Sequence, residues 1–170
     1  MNETIKSDVL VYIAFGSNLG DRNENIQQML IKLAEIGGTS IRCSSLWRSE
    51  AVGMDPGAQE FINGAVELRT CLTALALLRQ LQRLEIALGR PTEHGLNTDR
   101  VIDLDIISYG NQKIVSEILM VPHPRAQDRL FVLKPLVELA PDLKLSGFDK
   151  TVTELLQDAP AMEVSRQSLR

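Results

Sequence analysis

The sequence predicts an α+β fold: a ferredoxin-like, split-βαβ sandwich (an alpha-beta plait) with an added hairpin and C-terminal helices. Three observations carry this. Apolar and β-branched runs at residues 9–15, 39–47, 61–69 and 100–107 read as strands. Two amphipathic helical stretches interrupt them in the order β-α-β-β-α-β. The chain has 170 residues, 44% of them hydrophobic, enough for one compact domain with a core. Such a domain pairs an antiparallel or mixed sheet with helices on one face.

The elements follow in order. Val9-Leu10-Val11-Tyr12-Ile13-Ala14-Phe15 is unbroken apolar sequence, the mark of a central strand covered on both faces. Gly16-Ser17-Asn18-Leu19-Gly20-Asp21-Arg22 ends it with loop chemistry. A helix over 23–36 places Ile26, Leu30, Leu33 and Ile36 on one side and stops at Gly37-Gly38. Residues 39–47 form a second strand, 49–59 a long loop with Gly53, Pro56 and Gly57, and 61–69 a strand in which Ile62, Gly64, Val66 and Leu68 alternate against Phe61, Asn63, Ala65 and Glu67. Thr73 caps a helix striped by Leu77, Leu81, Leu84 and Leu88 and ended by Gly89. A second long loop, 90–99, runs into the strand at 100–107. Gly110-Asn111 reads as a hairpin turn before a short strand near Ile114. Met120-Val121-Pro122-His123-Pro124 is extended, and 125–140 holds one helix or two short ones with Phe131, Leu133, Leu136 and Leu139 apolar. Residues 158–170 read as a flexible tail.

Composition excludes several functions. A net charge of −4 and a pI near 5.2 speak against a broad polyanion-binding surface, hence against nucleic acid. Cys43 and Cys71 have neither C-x-x-C spacing nor paired His, which suits reduced, buried thiols in a cytoplasmic protein. No apolar run is long enough for a signal or membrane segment.

The chemistry centres on Arg100-Val101-Ile102-Asp103-Leu104-Asp105-Ile106-Ile107. Alternation puts Ile102, Leu104 and Ile106 on the core side and Asp103 with Asp105 on the other, roughly 7 Å apart at the Cα atoms. Two carboxylates that close repel unless a cation lies between them. Mg²⁺, which takes one or two carboxylates plus substrate phosphates, fits; the alternative is a solvated face on which two Asp happen to alternate. Arg90, Arg100, His123, Arg125 and Arg129 bracket the pair, as phosphoryl transfer requires; the alternative is scattered surface charge. There is no P-loop motif and no kinase signature. His123, between two prolines, is either a catalyst or a hydrogen-bonded structural residue. Phe61 and Phe131, two of only four Phe, are either core or a stacking pair with Asn63 at the edge.

Gly16-Ser17-Asn18-Leu19-Gly20-Asp21-Arg22, Phe61-Ile62-Asn63, Gly89-Arg90, Arg100-x-x-Asp103-Leu104-Asp105, Val121-Pro122-His123-Pro124-Arg125 and Asp128-Arg129-x-Phe131-Val132-Leu133, with Pro135-Leu136, stand in an order and spacing that resemble the 6-hydroxymethyl-7,8-dihydropterin pyrophosphokinase family. The resemblance runs from about residue 9 to 143. It implies Mg²⁺-dependent transfer of the terminal diphosphate of ATP to the hydroxymethyl group of the dihydropterin, releasing AMP, in folate synthesis. It implies Asp103 and Asp105 as ligands of two Mg²⁺ ions, and Arg90 and Arg100 as catalytic clamps on the phosphates. His123 and Arg129 would contact ATP phosphates. Leu78, Gln82 and Glu85 would line the nucleotide side, and Ile106 would touch adenine. Phe61 and Phe131 would sandwich the pterin, Asn63 would hydrogen-bond it, and Ser49 and Val52 would meet its remaining edge. The partners are ATP and the pterin alone, with no membrane, in a monomer or weak homo-oligomer. The chain departs from the family at Asn97-Thr98-Asp99 (often Trp-Gly-Pro), Thr92 (often basic) and Glu50 (often Pro); looser loop closure and weaker ATP binding follow. Two other readings stand beside this one: a different metal-dependent nucleotidyl- or phosphotransferase, and a non-enzymatic ferredoxin-like binding module.

Overall fold

The computed structural model describes residues 3–36, 38–51, 57–91 and 99–167. In chain order the elements are β1 (Thr4–Ser17), α1 (Arg22–Glu35), β2 (Gly38–Cys43), β3 (Trp47–Ser49), β4 (Phe61–Leu72) and α2 (Ala74–Ala87). There follow β5 (Asp103–Tyr109), β6 (Ile114–Val115), β7 (Met120–Val121), a 3₁₀ turn (Ala126–Asp128), α3 (Leu130–Leu139), α4 (Val152–Asp158) and β8 (Val164–Arg166). The main sheet has the order β5-β1-β4-β3-β8, with β2 also paired to β4, and each of these pairings is antiparallel.

The apolar run at 9–15 becomes the strand between β4 and β5, and its alternation divides the core. Val11, Ile13 and Phe15 pack with Ile26, Met29 and Leu33 of α1 and Leu77, Leu81 and Leu84 of α2. Tyr12 and Ala14 face the other way, into Val132, Leu133 and Leu136 of α3 and Val152 and Leu155 of α4. Helices therefore cover both faces, not the one expected; the β-α-β-β-α-β pattern accounts only for α1 and α2. Local caps set the helix starts. Asp21 Oδ1 accepts from Glu24 N at 3.1 Å, Thr73 Oγ1 from Ala76 N at 3.2 Å, and Thr151 with Glu154 forms a capping box.

Four further details differ from the sequence reading. The strand expected over 39–47 is two strands. Ala65 N donates to Ser44 Oγ at 2.9 Å, so a hydroxyl takes a rung of the ladder, and the register against β4 slips by one residue between Cys43↔Val66 and Trp47↔Asn63. The turn at Gly110-Asn111 closes no ladder of its own; Gly110 N donates to Leu10 O on β1 at 2.8 Å, and the hairpin pairs β6 with β7. Within the expected tail, β8 adds a strand to the sheet beside β3. Cys43 and Cys71 are exposed free thiols, not buried ones. Gly37 lies outside the described residues. Among the described residues, no helix is long and apolar enough to cross a membrane.

Candidate active site

The site lies on the α3 face of the sheet, just beyond the end of that helix. Ala14 and Ala65 are buried under α3 and α4. One step along the strands, Gly16 is in register with Asp103 of β5 on one side and Asn63 of β4 on the other. Asp103, Gly16 and Asn63 thus form one row across three strands, with their side-chain positions on the same face. Gly16 keeps that row open: a Cβ there would stand 3.1 Å from Asn63 Oδ1 and 3.3 Å from Phe61 Cδ1. The cleft over the row is lined by Phe61, Asn63 and Ser49 on one side and by Arg100, Asp103 and Asp105 on the other. Arg129, Phe131 and Val132 border it from the start of α3, and Glu50 from the loop after β3.

The acidic end is a network of charges. Asp103 Oδ1 accepts from Arg90 Nη1 at 3.0 Å and Oδ2 from Arg100 Nη1 at 2.6 Å. Arg90 Nη1 also lies 2.6 Å from Glu85 Oε2. Glu85 is buried, and its Oε1 accepts from the backbone N of Leu104 at 2.7 Å, the residue between the two aspartates. Burial raises the Glu85 carboxyl to about 7 against the pull of Arg90, and the nearby Asp103 charge adds to the rise. Burial first and the Asp103 charge second push the Asp105 carboxyl above the ordinary range, while His123, Arg129 and Arg100 draw it down. His123 Nε2 faces Asp105 Oδ2 at 3.8 Å. Its Nδ1 accepts from Arg125 N at 3.2 Å, so the neutral ring carries its proton on Nε2. Burial lowers the His123 pKa, with Arg129 and Arg125 acting in the same direction and Asp105 opposing.

The other end is held by amides and hydroxyls. Asn63 Nδ2 donates to Ser49 Oγ at 3.0 Å and to Trp47 O at 3.3 Å, both on β3. Arg129 lies over the Phe131 ring, 5.4 Å from its centroid. Asn18, buried at the end of β1, joins the roots of the two long loops. Its Nδ2 donates to Asp99 Oδ1 at 2.7 Å and Gln59 O at 3.4 Å, and its Oδ1 accepts from Arg100 N at 2.8 Å. In the sequence the Gly-Ser-Asn-Leu-Gly motif marks Asn18 without assigning it a role. Glu50 and Val132 also border the cleft; in the sequence Glu50 stands out only as a departure from the family pattern and Val132 only as part of the motif at 128–133.

The structure thus brings together Ser49, Phe61, Asn63, Arg100, Asp103, Asp105, Arg129 and Phe131, with Arg90 and His123 touching the aspartates. It does not bring Leu78, Gln82, Glu85 or Ile106 to the cleft wall. Leu78 is half-buried against the core and Gln82 is exposed on α2. Glu85 turns inward, and Ile106 packs in the core on the face opposite the aspartates, because Leu104 and Ile106 share that face. Val52, Thr92, Asn97 and Thr98 lie outside the described residues.

Among the described residues, no three His, Cys, Asp or Glu side chains converge on one point. Asp103 and Asp105 alone make a two-carboxylate donor set, with side chains 23% and 39% exposed at the cleft. Such a set fits a hard divalent ion that draws its remaining oxygen ligands from phosphate and water, not a protein-caged one.

A sequence model of the family described as 7,8-dihydro-6-hydroxymethylpterin-pyrophosphokinase (HPPK) matches residues 12–141. The chain is 36% identical over 159 residues to the 2-amino-4-hydroxy-6-hydroxymethyldihydropteridine pyrophosphokinase of Bacillus subtilis (strain 168), spanning 93% of this chain and 91% of that one. It is 39% identical over 158 residues to the protein of the same name from Pseudomonas aeruginosa, spanning 92% and 95%. In three dimensions it is similar to Plasmodium falciparum HPPK-DHPS wild type solved with pteroate, with a TM-score of 0.71 at 14% identity. That match covers 93% of this chain and 43% of the solved one, so this chain spans less than half its length; the likeness speaks for the fold.

Proposed function

The chain belongs to the 7,8-dihydro-6-hydroxymethylpterin-pyrophosphokinase family, and from that premise we propose how its cleft carries out the reaction. It is an enzyme of folate synthesis, a pyrophosphokinase acting on the hydroxymethyl-dihydropterin with ATP as co-substrate. In our reading the pterin hydroxyl oxygen bonds to the β-phosphorus of ATP. The bond from that phosphorus to the α-β bridging oxygen breaks, AMP leaves with the electron pair, and the hydroxyl proton passes to solvent.

The observation that carries this reading is that two arginines converge on Asp103 in a cleft also lined by Phe61 and Asn63 of β4 and, from α3, by Phe131. Asp103 and Asp105 would hold the Mg²⁺, two ions by family expectation. When bound, Mg²⁺ supplies neutralisation of phosphate charge and a lowered pKa for a coordinated hydroxyl. Arg90 and Arg100 exchange Asp103 for phosphate oxygens and neutralise charge as it moves to the leaving group. His123 presents a neutral Nε2–H toward the same region, and Arg129 adds a cation. Phe61 and Phe131 hold the flat pterin between rings, with Asn63 and Ser49 at its edge. Gln82, exposed on α2, is left for the nucleoside side. The order β5-β1-β4-β3 supports reading the sheet as a split-βαβ plait. Two free thiols support a cytoplasmic protein, taken here as a monomer or weak homo-oligomer.

The test is incubation with ATP, Mg²⁺ and 6-hydroxymethyl-7,8-dihydropterin. AMP and a pterin diphosphate are expected in equal amounts, and loss of turnover in folded Asp103→Ala. ADP in place of AMP, or full activity in that variant, would overturn the reading.

A further inference from the structure

β3 is three residues long, yet it supplies both protein acceptors of the Asn63 amide nitrogen, Ser49 Oγ and Trp47 O. One of its edges pairs with β4, where Ser49 stands opposite Phe61. The other edge is covered by β8, with Trp47 against Arg166, Arg48 against Ser165 and Ser49 against Val164. Val164, Ser49 and Phe61 therefore form one row that ends at the cleft wall. A three-residue strand paired on one side alone has little to fix its side chains.

The strand β8 is itself tied down. Lys134 Nζ donates to Val164 O at 2.6 Å while lying 5.0 Å from the centroid of the Trp47 ring. Gln167 N donates to Leu46 O at 2.8 Å, and Arg166 reaches Ser45 Oγ. Glu138 accepts from Trp47 Nε1 at 3.1 Å and Ser45 N at 2.8 Å. Lys134 and Glu138 both belong to α3, the helix that brings Phe131 to the opposite side of the cleft. One helix thus fixes a ring directly and the facing wall through β8.

We propose that β8 is a positioning strap for the pterin wall: by pairing with β3 it holds Ser49, and through Ser49 the Asn63 carboxamide, in the orientation that meets the pterin edge. The proposal rests on the assignment of Ser49, Asn63 and Phe61 to the pterin side. The ATP side, on β5 and the loop before it, shares no hydrogen bond with β8 among the described residues.

The strap is tested by a chain ending at Pro160 and by Lys134→Met and Lys134→Arg in the full chain. The shortened chain and Lys134→Met are expected to raise KM for the pterin roughly tenfold and threefold, on the scale of one misplaced hydrogen bond. KM for ATP and kcat should stay within about twofold of the parent, and Lys134→Arg should restore the pterin KM. Where the shortened chain does not fold, Lys134→Met decides. An unchanged pterin KM in the folded variants overturns the strap, and so does an equal rise in both KM values, which is general loosening. Asn63→Ala separates the two readings. If it leaves the pterin KM unchanged, the wall assignment falls; if it raises that KM while the strap variants do not, only the strap falls.

Discussion

Both carboxylate oxygens of Asp103 are held by guanidinium groups, so a divalent ion entering alone competes with Arg90 and Arg100 for them. A hydrogen bond to a charged group contributes about 1.5–3 kcal/mol. The side chains are 17–23% exposed, so solvent screens these bonds only in part. Losing both without replacement costs about 3 kcal/mol or more, roughly a hundredfold in ion affinity. Phosphate oxygens offer the arginines another partner, so Mg²⁺ and ATP are expected to bind cooperatively. Thermal unfolding measures this. At about 100 times Kd, Mg²⁺ with a non-hydrolysable ATP analogue stabilises by about 2.7 kcal/mol, roughly 5–11 °C in Tm for a chain of this size. Mg²⁺ alone at the same concentration, now near its hundredfold weaker Kd, should move Tm by no more than about 2 °C. Asp103→Asn keeps one acceptor oxygen, loses one charged bond and relieves repulsion from Asp105. Its own stability should fall by only about 1–2 kcal/mol. Its Mg²⁺-dependent gain with the analogue should disappear. A full Tm shift from Mg²⁺ alone, or an unchanged gain in Asp103→Asn, would refute the reasoning.

Three other outcomes are expected. Glu85 ionises near 7 in the fold against an ordinary 4.5, so the folded protein keeps a proton that the unfolded chain has lost. Its contribution is full below pH 4.5 and is lost as pH rises to 7, a fall on the order of 3 kcal/mol. Urea unfolding between pH 5 and 8 should show that slope in the parent and not in Glu85→Gln; equal slopes would count against it. Gly64→Ala places a Cβ 2.3 Å from Phe15 Cζ, and overpacking there should cost about 1–3 kcal/mol in denaturant unfolding; an unchanged midpoint would mean that the ring can move aside. Asn18→Ala removes the side chain joining Gln59, Asp99 and Arg100, and should cost about 1–3 kcal/mol and lower kcat. Parent-like kcat would show that the loop roots need no such joint.

Much of this was legible in the sequence because it rests on local rules. The unbroken run at 9–15 meant a strand covered on both sides, and Asp-Leu-Asp meant two acids on one face. Thr73 capped α2 as its side chain requires. What was hidden depended on partners far away in the chain. Nothing near Ser44 says that its hydroxyl will take a backbone rung and split a strand. Val164–Arg166 looks like tail until β3 supplies an edge. Glu85 sits on a helix expected to face a nucleotide, but the Leu104 amide and the Arg90 guanidinium, reached across the fold, draw it inward. For Ile106, alternation from Asp105 already put its side chain in the core, where the structure has it.

The row through Asp103, Gly16 and Asn63 works as a ruler. Neighbouring strands stand about 4.8 Å apart, so Asp103, proposed to hold the ion, and Asn63, proposed to meet the ring, are separated by about 9.6 Å of backbone lattice. Side-chain replacement cannot stretch that lattice, because its spacing belongs to the peptide groups. Reach from ring to phosphate is thus built into the main chain, while grip on each substrate belongs to loops and side chains. Mutational drift should tune grip freely while leaving reach untouched, and an alcohol lengthened by one methylene would arrive out of line however tightly it bound.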